Sequence, residues 1–173
     1  MKFDFSRYFH DIAVRLKAIA HTEQKRKFHR VSGIAALEEL LHNLTRTTDE
    51  GFQLVIEDNL DSRFFENAST LLNEQFYVFY VLKKCRVNDF DSIEKAKDDC
   101  RVVAWQIFAQ MFRHREIDWK APTANANGLR DLRRSSVNIS TIGPMADQYW
   151  GLMCSFTVAD NPGIKYNADD WTE

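Results

Sequence analysis

The run from Gln75 to Leu82 is the feature that most limits what this chain can fold into. Its residues, QFYVFYVL, are β-branched or aromatic at most positions, which is typical of a strand. Large apolar side chains stand on both alternating faces, so other elements must cover at least part of both sides. The run therefore predicts a strand in the middle of a sheet.

Three amphipathic segments predict helices. The first begins near Ser6, and its apolar stripe repeats at helical spacing as far as Ala20. A second, shorter helix is predicted over Ala35–Leu44. The third is longer, because Asp91-Ser92-Ile93-Glu94 is typical of a capping box and an apolar stripe continues from it to Met111.

Weaker patterns predict three more strands and the connections between them. Strands are expected at Phe52–Ile56, at Ser136–Ser140 and at Tyr149–Val158, and the last two alternate with period two. A short extended piece is expected at Phe28–Val31. A polar loop is expected over Asn59–Thr70, and a C-terminal tail over 160–173, since both segments lack a regular apolar period.

The resulting order, α-α-β-β-α-β-β, keeps the helices separate from paired strands. We therefore predict an α+β fold: a mainly antiparallel four-stranded sheet with the long helix packed across it and two helices at the N-terminus. The 173 residues fit a single domain, 1–173, and can bury a core without disulfide or metal.

Composition argues against several classes of protein. A net charge of −2, with both signs well mixed, does not favour a dedicated nucleic-acid binder. The three cysteines form no CxxC pair, which predicts buried thiols in a reducing compartment. No apolar run approaches the roughly 18 residues of a membrane helix, and the N-terminus is too polar for a signal peptide. We expect a protein made in a cytoplasm-like environment, with no membrane partner.

The residue types that carry catalysis or bind metals form no familiar motif. The histidines lack the spacings of zinc sites, and no P-loop, GxSxG or GxGxxG sequence occurs. Adjacent acids such as Glu38-Glu39 point about 100° apart on a helix and do not converge. We predict no enzyme, no cofactor and no metal. Basic clusters at 25–30 and 130–134 leave nucleic-acid binding open as an alternative.

Large aromatic residues stand in two segments where a monomer gains little from them. Phe64 and Phe65 lie in the predicted loop, and Tyr166 and Trp171 lie in the tail. We predict that these four side chains contact neighbouring subunits or partner proteins as aromatic anchors. The alternative is that the rings fold back on their own domain.

Short segments spread over most of the chain resemble a family of phage proteins. They are Phe28 leading into Leu37-Glu38-Glu39-Leu40-Leu41, the capped helix at 91–111, Ile142-Gly143-Pro144, Tyr149-Trp150-Gly151 running into Ser155-Phe156-Thr157-Val158, and Tyr166-Asn167-Ala168-Asp169-Asp170-Trp171. Together they resemble the tail-terminator or tail-completion proteins of Bacteroidetes-type phages and phage-tail-like particles.

The resemblance implies a structural subunit of the virion, assembled in the cytoplasm of the bacterial host. Such subunits form a homo-oligomeric ring, usually a hexamer, at the head-proximal end of the tail tube. The ring joins the tube to the neck proteins and lets DNA pass through its lumen as cargo. A head–tail connector or neck protein is the alternative within the same structural class.

Overall fold

The computed structural model describes residues 2–47, 51–58, 61–67, 70–121 and 126–160. Within those ranges the chain forms three helices and six strands. In chain order they are α1 (Phe5–Arg15), β1 (Phe28–Val31), α2 (Ile34–Thr45), β2 (Phe52–Glu57), β3 (Ser62–Asn67), β4 (Thr70–Lys84), α3 (Phe90–Lys120), β5 (Leu132–Met145) and β6 (Tyr149–Asp160).

All six strands belong to one sheet, in the order β1-β2-β4-β6-β5, with β3 paired to the first part of β4. The central strand is β4, which is 15 residues long. It pairs with β6 from Asn73 opposite Asp160 to Lys84 opposite Tyr149. This position confirms the prediction that Gln75–Leu82 forms a strand in the middle of the sheet.

The α+β class is confirmed and four of the five strand pairings are antiparallel, as expected of a mainly antiparallel sheet, but the predicted number of four strands is wrong. The sheet has six strands in the described residues and is mixed, because β1 runs parallel to β2, with Phe28 opposite Leu54. The α2 helix connects these two strands. Parallel neighbours need a crossover connection of this kind, because the chain must return to the same end of the sheet. With only four residues, β1 is too short for a period-two pattern to stand out.

The predicted loop at Asn59–Thr70 is also wrong, since Ser62–Asn67 is strand β3. It forms an antiparallel ladder with β4 in which Phe65 lies opposite Leu72. The segment is not β-branched and does not alternate cleanly, so its extended form depends on the neighbouring strand rather than on its own propensity. Residues 59–60 and 68–69 lie outside the described part of the chain.

The helices differ from expectation mainly at their ends. The first helix stops at Arg15 rather than near Ala20, because the backbone becomes extended at Leu16. The long helix starts at Phe90, capped by the carboxylate of Asp89, which accepts a hydrogen bond from the Ser92 N–H at 3.0 Å. It therefore begins before the capping box predicted at 91–94. No helix in the described ranges has the length and apolar character needed to cross a membrane.

Helices cover both faces of the sheet, although unequally. On one face α1 and α3 enclose an aromatic core, in which the ring centroids of Phe9 and Phe79 lie 4.7 Å apart and those of Tyr77 and Phe156 lie 5.3 Å apart. On the other face α2 packs its buried leucines only over the end of the sheet near Tyr149. None of the three described helices packs over the remainder of this second face.

Candidate interaction surface

The first candidate surface is the hairpin of Ser62–Asn67 and 70–73, which we call the arm. Among the described strands, β3 is hydrogen-bonded to β4 alone. In the described residues β6 ends opposite Asn73, so positions 70–72 of β4 have no described neighbour on that side. The arm therefore extends past the rest of the described sheet and presents an open strand edge, which another chain can pair with.

One side of the arm carries exposed apolar groups. Phe64 is 55% exposed and Leu71 is 41% exposed. Phe64 lies opposite Asn73 and Leu71 opposite Glu66, so both side chains point to the same side of the hairpin. The prediction that Phe64 contacts another subunit stays a prediction, and its exposure leaves the ring accessible to one.

Phe65 differs from its neighbour, because adjacent residues of a strand point to opposite faces. Its ring is half-buried, and the guanidinium of Arg133 lies 4.5 Å from the ring centroid. The prediction that Phe65 contacts another subunit stays a prediction, and its side chain is less exposed than that of Phe64. The other two predicted contact residues, Tyr166 and Trp171, lie outside the described residues.

The second candidate surface is centred on Glu74, which is only 1% exposed. Its carboxylate accepts from Arg63 at 2.7 Å and forms an ion pair with Arg133 at 3.2 Å. The Thr157 hydroxyl donates to the same carboxylate at 2.9 Å. These four side chains, the Glu74 network, come from four different strands and meet only because the strand register aligns them. Sequence patterns hold no signal for such a meeting.

The charge state of Glu74 follows from this environment. Burial alone would raise the pKa of its carboxyl group. Hydrogen bonds from Arg63 and Thr157, together with the charge of Arg133, outweigh burial and lower the pKa below its ordinary value. Two guanidinium groups therefore face one carboxylate, and the Glu74 network carries an excess positive charge.

The low pKa of Glu74 makes stability depend on pH. Because the pKa is lower in the folded chain, the carboxylate stabilises the fold at neutral pH and loses that effect as acid protonates it, below about pH 4.5. We expect Glu74→Gln to cost about 1–2 kcal/mol near pH 7, and the difference from wild type to shrink near pH 3. Urea denaturation of both proteins at pH 7 and pH 3 measures the difference in their free energy of unfolding.

Glu116→Gln is the matched control, because Glu116 pairs with Arg134 while both side chains are about half exposed. Exposed pairs contribute little, so its cost should stay below about 0.5 kcal/mol at either pH. A constant difference between Glu74→Gln and wild type from pH 7 to pH 3 would contradict the assignment.

Aromatic rings frame the Glu74 network on the open part of the sheet. The Arg63 guanidinium lies 5.4 Å from the Phe76 ring centroid, and Arg133 covers Phe65 as described. A cleft of about 430 Å³ lies here, lined by polar residues of β5 and β6 such as Ser136. The described helices pack elsewhere on the sheet. We call this region the open face; its principal residues are Arg63, Phe65, Glu74, Phe76, Arg133 and Thr157.

In the described residues, three of the five histidines make structural hydrogen bonds with their rings. The ring of His29 bonds to Gln53 at 3.1 Å, and that of His114 bonds to the Tyr8 hydroxyl at 2.8 Å. His21 Nδ1 accepts the Lys27 backbone N–H at 2.9 Å. No group of three or more His, Cys, Asp or Glu side chains in these ranges could hold a metal ion.

The three cysteines are buried free thiols, as predicted. Burial raises the pKa of Cys100 and of Cys154 to about 12. Thiols with so high a pKa are not ionised at neutral pH and make poor nucleophiles.

Ion pairs engage some of the arginines in the two basic clusters. Arg30 pairs with Asp58 at 3.2 Å, and Arg134 pairs with Glu116 at 2.7 Å. Arg133 belongs to the Glu74 network. Phosphate binding needs cations that can replace counterions, so their carboxylate partners lower the charge that Arg30 and Arg134 could offer to nucleic acid.

A further apolar surface lies on the outer side of α3 and was missed in the sequence. Val102 and Trp105 are 56% and 58% exposed, and they share one side of the helix because they stand three residues apart. Trp119 is 61% exposed near the end of the same helix. The apolar stripe predicted for this helix lies on its buried side. Trp105 stands outside that stripe, and a large apolar residue there indicates an exposed apolar surface.

Comparison with known proteins adds no relatives: no family model matches this chain, and no curated protein matches it significantly. The resemblance to tail-terminator proteins stays a prediction that rests on the segments quoted above.

Proposed function

We propose that this chain is a structural subunit that assembles with copies of itself and terminates the tail tube of a phage or phage-tail-like particle. The observation that carries the proposal is the arm, a hairpin whose outer edge pairs with no described strand and which exposes Phe64 and Leu71. An edge strand of this kind favours pairing with another chain, and an exposed ring adds apolar contact area.

The proposed assembly is a closed ring, with a hexamer as the expected form. Closed rings use the same two surfaces on every subunit, one meeting the other around the symmetry axis. The arm supplies one such surface. The open face and the outer side of α3 are candidates for the surfaces that meet the neighbouring subunit, the tube or the neck.

The side-chain chemistry supports binding rather than catalysis. The buried carboxylates of the described residues are engaged in structural contacts: Glu74 with its two arginines, and Asp118 with the backbone N–H groups of Asn127 and Leu129. DNA is expected to pass through the ring as cargo, and a net charge of −2 is compatible with that passage, because a strongly basic lumen would hold phosphates.

The test is to add purified protein to polymerising tail-tube subunits from the same particle and to image the products by negative-stain electron microscopy. We expect rings at one end of each tube and an arrest of tube growth at that end. A ring that binds neck proteins but leaves tube growth unchanged would favour a connector. Unchanged tubes with no ring and no neck binding would overturn the proposal.

A further inference from the structure

The open face has the chemistry of a receptor for an acidic, aromatic peptide. Arg63 and Arg133 are 64% and 42% exposed at their side chains, whereas the carboxylate they share is buried at 2%. Their outward N–H groups are therefore available for a second carboxylate, because a guanidinium carries five donors. Phe65 and Phe76 supply aromatic surface beside them.

Residues 161–173 of this same sequence have the complementary chemistry. They include one basic side chain, Lys165, and three acidic ones, Asp169, Asp170 and Glu173. Trp171 directly follows the adjacent pair of aspartates. A carboxylate pair next to a large ring matches a surface on which two guanidinium groups lie next to two rings.

The direction of β6 helps to decide whether residues 161–173 reach the open face of their own copy or that of a neighbouring copy. Thr157 belongs to the open face, but the strand continues past it to Asp160, opposite Asn73, towards the arm. Thirteen further residues span up to about 43 Å when extended, which suffices to reach an adjacent subunit. Asn161-Pro162-Gly163 is a turn-forming sequence, so docking on the same copy is the competing arrangement.

We propose that residues 161–173 of one copy dock on the open face of a neighbouring copy, with Asp169 and Asp170 at Arg63 and Arg133 and with Trp171 against the phenylalanines. This inference rests on the proposed self-assembly. In this arrangement each subunit binds the tail of one neighbour on its open face and extends its own tail to the next. The same contact, repeated around the axis, closes the ring.

The first test places a photo-crosslinker in the full-length protein by the substitution Trp171→p-benzoylphenylalanine. Copies labelled with nitrogen-15 and unlabelled copies are mixed, assembled and irradiated, and the cross-linked peptides are identified by mass spectrometry. We expect links from position 171 to peptides covering 62–76 or 133–140, in pairs that combine one labelled and one unlabelled copy. Links confined to a single copy, links to other regions, or no links would overturn the inference.

The second test uses charge reversal without touching the Glu74 network. Asp169→Lys with Asp170→Lys should weaken the association of subunits about tenfold or more and leave thermal stability unchanged. Glu38→Lys with Glu39→Lys makes the same change of charge on the exposed side of α2 and should have little effect. Equal weakening by both pairs would overturn the inference.

The two proposals fail in different ways. Rings that form normally while cross-links map elsewhere would reject the tail docking and leave the structural function in place. A protein that remains a monomer under all conditions would reject the structural function itself.

Discussion

Phe64→Asp is expected to abolish self-assembly while the subunit stays folded. The Phe64 side chain is 55% exposed on the arm, so its replacement leaves no cavity in the core of the monomer. In the assembly, a carboxylate at this position would have to lose its water without gaining a partner. Aromatic anchors at interfaces are typically worth 2 kcal/mol or more, so association should weaken at least about 30-fold.

Light scattering of the purified variant measures this effect, with circular dichroism to verify the fold. Val87→Asp is the matched control, because Val87 is 56% exposed in the connection between β4 and α3, away from the arm. The single substitution is preferable to a change at both phenylalanines, since Phe65 lies under Arg133 and its loss would disturb the Glu74 network. If the Phe64→Asp variant keeps the oligomer mass of the wild type, the arm is not part of the interface between subunits.

Gly151→Ala is expected to cause the largest loss of stability. Gly151 lies in β6 opposite Leu82 of the central strand. A Cβ at this position would lie 2.0 Å from the Val81 carbonyl oxygen and 3.0 Å from the Leu82 Cα. Both are backbone atoms of β4, so relief requires β4 and β6 to move apart. We expect a cost of about 3 kcal/mol.

For a chain of this size, that loss corresponds to a fall in melting temperature of about 6–12 °C. Thermal and urea denaturation of the variant measure it. Ser155→Ala, in the same strand but on the half-buried open side, is the control and should change stability by less than about 1 kcal/mol. A Gly151→Ala protein as stable as wild type would contradict the close β4–β6 register described above.

The elements found from sequence were those whose own residues decide their structure. The strand at Gln75–Leu82 and the helix near Ala35–Leu44 have enough apolar periodicity to be identified without their neighbours. Strand β1 is predicted from sequence only as a short extended piece at Phe28–Val31, and strand β3 is not predicted. The first has four residues, and the second reads as a polar segment, so each owes its conformation to the strand beside it.

The candidate site was accessible to sequence reasoning only in part. Phe64 stood out as a large ring in a polar setting, and the structure places it at the surface. The meeting of Arg63, Glu74 and Arg133 depends on the alignment of β3, β4, β6 and β5, which is fixed by long-range pairing. No local period contains that information, because a shift of one residue would send these side chains to the opposite face.

The most direct measurement is the mass of the wild-type protein by sedimentation velocity as its concentration is raised. The arm and the open face are surfaces that we expect neighbouring subunits to cover, so the account predicts a discrete, closed oligomer. A hexamer of the 20.2 kDa subunit would have a mass of about 121 kDa. A folded protein that sediments as a 20.2 kDa monomer at every concentration would contradict the account.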